Sequence, residues 1–68
     1  MVPDPQRVAE QVRAALLRTA MSAYEDAGMQ GLCAQGAWEV ALGAMRTLDL
    51  SGVVTEARAR DRDPAAGA

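Results

Sequence analysis

Apolar residues recur along this chain with the helical period. Between residues 8 and 24, Val8, Val12, Leu16, Ala20 and Tyr24 step by four. Leu17 and Met21 widen the stripe, Ala9, Ala23 and Ala27 fall within it, and Arg7, Gln11, Arg18, Ser22 and Glu25 cover the other side. This 3.6-residue alternation predicts a first amphipathic helix. Asp4 supplies a capping oxygen at its start, and Pro5 takes the first helical position, where a missing N–H costs nothing. A second stripe, Ala34, Ala37, Ala41, Ala44 and Leu48, alternates spacings of three and four, flanked by Trp38, Val40 and Met45, with Glu39, Gly43 and Arg46 pointing away. This second helix is expected to end in the turn-like cluster Asp49-Leu50-Ser51-Gly52.

The turn between the two helices has two solutions. Gly28 can end the first helix, leaving Gly36 inside the second. Alternatively the first helix runs on to Gly36, which buries Gly28 and Gly31 within it and puts Leu32 on its polar face. Interior glycines cost about 1 kcal/mol each relative to alanine, which favours the break at Gly28.

Residues 53–62 have the content for a short third helix, with Glu56 and Arg60 paired at i,i+4. Their apolar content is only Val53, Val54 and two alanines, and Pro64 to Ala68 have nothing to pack and should fray. The expected fold is all-α: an antiparallel helical hairpin over residues 1–52, a weakly helical to disordered tail over 53–68, and a bundle completed by a partner chain.

Around residues 31–50 the chain resembles a helical-repeat hairpin. Gln35-Gly36-Ala37-Trp38-Glu39-Val40-Ala41-Leu42 is similar to the middle of a tetratricopeptide-type repeat: a turn glycine, an aromatic, an acidic residue, a spacer, then Ala-Leu. Gly31-Leu32-Cys33 followed by Gly36 resembles the helix-turn of pentatricopeptide repeats. The resemblance implies two antiparallel helices packed through small residues, with the turn at Gly36 and a long first helix. Met29 stands where tetratricopeptide repeats carry a small residue, and no second copy follows, whereas stable arrays need about three.

Length sharpens the need for a partner. Below roughly 70–80 residues one apolar core seldom supplies more than about 3–5 kcal/mol, and this chain has 68. Its one cysteine, Cys33, forms no internal disulfide, and without histidine it builds no zinc site. Oligomerisation or docking is the remaining source of stability. One hairpin would leave a second apolar edge of Leu17, Met21, Leu42 and Met45 exposed, with Leu32 added if the first helix is long. Trp38, with Tyr24 beside it at mid-hairpin, is either the keystone of the core or an interface anchor. The candidate interaction residues are thus Leu17, Met21, Tyr24, Trp38, Leu42 and Met45. Two occupants suit such a face: a second copy, giving a homodimeric four-helix bundle, or a larger protein.

Composition removes several alternatives. All seven basic residues are arginine, and Phe, Ile, Asn and His are absent. That bias follows the codons of a GC-rich genome. A net charge of −2 lacks a nucleic-acid footprint. Arg58, Arg60 and Arg62 are cancelled locally by Glu56, Asp61 and Asp63. No apolar run approaches the ~18 residues of a membrane span, and the opening residues lack a signal peptide's basic and apolar regions. With one free thiol this points to the cytoplasm. Glu25 and Asp26 diverge by about 100° on a helix and cannot converge on one ligand. Cys33 reads as core filler. No catalytic set, metal site or cofactor is expected. The chain reads as a non-enzymatic protein–protein interaction module: an accessory subunit, assembly factor, adaptor or inhibitor. The alternative is a small sensor bundle that binds an apolar ligand or responds to oxidation through Cys33.

Overall fold

The computed structural model describes residues 4–62. Among them there are three α-helices and no strand: α1 (Pro5–Met29), α2 (Ala34–Arg46) and α3 (Leu50–Arg62). The expectations about the first three residues and the fraying of 64–68 lie outside the described residues.

The start of α1 follows from its first residues. The Asp4 carboxylate accepts a hydrogen bond from the Gln6 N–H (3.0 Å), the Asp4 carbonyl accepts from Val8 (3.1 Å), and Pro5 occupies the first helical position. The helix ends in a Schellman motif. Leu32 N–H donates to the Ala27 carbonyl and Gly31 N–H to that of Gly28, both at 3.0 Å. Gly31 has φ +95°, a conformation a side chain resists. The turn therefore lies at Gly28–Gly31, and Gly36 sits inside α2, against the placement that the repeat resemblance implies. A Cβ at Gly36 would meet the Leu32 side chain at 3.5 Å, which is ordinary contact.

Cys33 is the residue before α2, in extended backbone (φ −71°, ψ 169°), and its side chain caps nothing. At the other end the Thr47 hydroxyl donates to the Gly43 carbonyl at 2.9 Å, and its N–H donates to the same oxygen. The next amide departs from the α-helical ladder: the Leu48 N–H donates to the Met45 carbonyl at 3.4 Å instead of to Ala44, and α2 ends at Arg46. The Asp49–Gly52 cluster expected to terminate it instead opens α3: Asp49 precedes the helix and its carbonyl accepts from Val53 at 3.3 Å. The expected boundary at residue 52 thus falls inside α3. The predicted Glu56–Arg60 pair forms at 2.9 Å on the exposed surface, where such pairs contribute little.

The chain divides into two compact units, one of residues 1–15 with 49–68 and one of Leu16–Leu48. In the first, Ala15 and Ala57 are buried, and Val8, Val12, Val53 and Val54 are half-buried. In the second, Ala27, Ala37 and Ala41 are buried, while Leu16, Ala20, Ala23, Leu42, Ala44, Met45 and Leu48 are half-buried. Every buried residue among those described is an alanine. The expected seam on α2 is present at its centre, but Ala34 is exposed. An alanine contributes one methyl, about 0.8 kcal/mol when buried, against about 1.5–3 kcal/mol for a leucine or methionine. The interior of this chain is correspondingly thin in free energy.

Candidate interaction face

The second unit carries the large apolar residues that its interior lacks. On α1, Leu17, Met21 and Tyr24 fall at i, i+4 and i+7, which stacks them on one face. They are 57%, 62% and 42% exposed. On α2 the same spacing holds for Trp38, Leu42 and Met45; Trp38 is 51% exposed and the other two are half-buried.

A groove of about 400 Å³ opens between the two helices, lined by Ala20, Met21, Tyr24 and Glu25 from α1 and by Trp38 and Ala41 from α2. Its origin is steric. Ala20 and Ala41 are too short to fill the space between the larger side chains. Of the six residues singled out from sequence, the structure brings Met21, Tyr24 and Trp38 to this groove. Leu17, Leu42 and Met45 lie on the same helical faces but do not line it.

Three further residues line the groove that the sequence pattern places in other roles: Ala20 in the stripe of α1, Ala41 in the seam of α2, and Glu25 on the polar side of α1. The available signal was their i+3 and i+4 spacing: Ala20 lies four residues before Tyr24, Ala41 three after Trp38, and Glu25 four after Met21. Within the chain Trp38 is not a core keystone, because the helices approach through alanine and leave the indole outside. Cys33, expected as core filler, is an exposed free thiol at the entry to α2. Met29, Leu32, Val40 and Leu50 are further exposed apolar residues, with Met29 at 85%.

The electrostatics of this unit are simple. Its charged residues are Arg18, Glu25, Asp26, Glu39 and Arg46, all exposed, and none forms an ion pair among the described residues. No group of three or more cysteine or carboxylate side chains among the described residues is placed to hold a metal ion. None of the described helices is long and apolar enough to cross a membrane. No protein-family model matches the chain, and neither a curated protein nor a solved structure does.

Proposed function

We propose that this chain is a non-enzymatic protein–protein interaction module, an accessory subunit, assembly factor, adaptor or inhibitor, that works through the α1–α2 face. In this reading α1 and α2 form an antiparallel hairpin that completes a helical bundle with a partner chain, in the cytoplasm. One observation carries it: the buried residues among those described are alanines, while Met21, Tyr24 and Trp38 stand about half exposed around an open apolar groove, with Leu17 exposed on the same face of α1. Contiguous exposed apolar surface rimmed by charge marks association sites. The i, i+4, i+7 spacing on both helices is the pattern by which helices dock into grooves.

A photo-crosslinking residue placed in the cell at Leu17 or Met21 tests the reading. Protein adducts should form from these positions and not from Asp26, which is exposed on the opposite side of α1. Equal labelling from Asp26, or no protein adduct from either Leu17 or Met21, overturns it.

Two observations favour a second reading, the small sensor. The groove volume falls within the ~300–1,000 Å³ of small-molecule sites, and Cys33 is accessible to oxidants. That reading requires a thermal shift with an apolar ligand or a mild oxidant, and no protein adduct.

A further inference from the structure

The charges that flank the apolar face are arranged with opposite polarity on its two helices. On α1, Arg18 and Glu25 are seven residues apart, one position beyond Leu17 and Tyr24 respectively. On α2, Glu39 and Arg46 are also seven residues apart, one position beyond Trp38 and Met45. Seven residues is two helical turns, so each pair lies along one edge of its helix, bordering the exposed apolar row. The two carboxylates lie toward the connecting loop, and the two guanidinium groups lie toward the other end of the helix pair. The face therefore has an acidic end and a basic end. None of these four groups forms an ion pair among the described residues.

We infer that the occupant of this face is a second copy of the chain, packed face to face with the two connecting loops at opposite ends. The inference rests on the proposed interaction module and on its hairpin geometry, and it names the partner. Two copies can meet through this face about either of two in-plane two-fold axes. An axis along the helices puts both loops at one end. Arg18 then faces the partner's Arg46, and Glu25 faces the partner's Glu39, like against like. An axis across the helices lays each helix antiparallel on its own counterpart. Arg18 then faces the partner's Glu25, and Arg46 faces the partner's Glu39, and symmetry repeats both pairs. Only the second arrangement has complementary charge, and complementarity of this kind selects orientation.

The apolar residues fit the same axis. The midpoint of Arg18 and Glu25 falls beside Met21, and that of Glu39 and Arg46 beside Leu42, both about eight residues from the loop along their helices. Met21 meets its own counterpart at the centre. Leu17 lies against the partner's Tyr24, and Met45 against the partner's Trp38, a sulfur–aromatic pairing. The area is sufficient. Leu17, Met21, Tyr24 and Trp38 leave roughly 100 Å² each to cover, so two copies bury about 800 Å² from these four alone. The half-buried Leu42 and Met45 and the charged borders carry the total toward the ~1,200 Å² of a stable interface.

The full-length protein tests this directly, because its single native cysteine reports on orientation. Cys33 lies between nine and ten residues from the level of the two-fold axis, about 14 Å along the helix. Spin labels on the two Cys33 thiols should therefore be about 28 Å or more apart. With loops together, the labels would lie within about 20 Å, a distance of two helix spacings. The expected results are a dimer by sedimentation equilibrium and a long label distance. A third is a dissociation constant raised at least about tenfold in Arg18→Glu/Arg46→Glu, with unchanged helicity. Mixing that variant with Glu25→Arg/Glu39→Arg should restore association. A short label distance, or a dimer indifferent to these charges, overturns the arrangement. A monomer up to about 1 mM overturns the second copy as partner. In that case groove crosslinks to a different protein would leave the interaction module standing, whereas their absence would remove it too.

Discussion

Replacing Gly36 with alanine should make this protein more stable. Gly36 lies in the first turn of α2, with helical backbone and no positive φ. Removing a helical glycine gains up to about 1 kcal/mol in propensity, somewhat less in a first turn. The new Cβ would sit 3.5 Å from Leu32 Cδ2, 3.7 Å from Cys33 Sγ and 3.7 Å from Leu32 Cβ, all attractive distances that nothing must move to accommodate. Each such contact adds about 0.1–0.2 kcal/mol. The sum is close to 1 kcal/mol, which in a chain of this size raises Tm by about 4–8 °C. Gly31→Ala is the matched control. There the Cβ has open space but the backbone is at φ +95°, so about 1–2 kcal/mol is lost. Thermal melts followed by circular dichroism at 222 nm, at equal protein concentrations, decide the matter. A lower Tm for Gly36→Ala with little change for Gly31→Ala would mean that the chain turns at Gly36, and the assigned end of α1 would be wrong.

Other substitutions probe the remaining features. Ala41→Leu, at a site only 1% exposed, should overpack the helix contact and cost about 1–3 kcal/mol in a urea titration. Asp4→Ala removes the acceptor of the Gln6 N–H and should cost about 1 kcal/mol in the same assay. Cys33→Ser should stabilise by about 0.5–1 kcal/mol rather than open a cavity, since the thiol is exposed at an N-cap position that it leaves unused; a loss of stability would indicate that the sulfur is packed. Trp38→Ala should cost the dilute monomer well under the ~3–5 kcal/mol of a fully buried tryptophan while weakening association strongly; an unfolded monomer would put the indole back in the core.

Much of the architecture was legible in the residue pattern because it rests on neighbours in sequence. The Asp4–Pro5 start, the helical stripes, the Glu56–Arg60 pair and the i, i+4, i+7 rows from Leu17 and Trp38 all involve residues within about two turns of each other. The end of α1 was not legible: glycine propensity favours a break at Gly28, whereas the repeat-like pattern around Gly36 places the turn there. The choice fell to the hydrogen bond from Leu32 back to Ala27, together with the positive φ of Gly31. The start of α3 at Leu50 escaped for the same reason, because Asp49 reads equally as a turn residue and as a cap.

Burial depended on the tertiary structure most of all. Periodicity places Tyr24, Trp38, Ala37 and Ala41 on apolar stripes, but it does not say which of them the helices touch through. Alanines at the contact let two backbones come closer than larger side chains would, and at that separation an indole or a phenol has no room between them. Ala37 and Ala41 are therefore enclosed, while Tyr24 and Trp38 are turned out to the rim of the groove, where Glu25, counted from sequence among the polar residues, joins them.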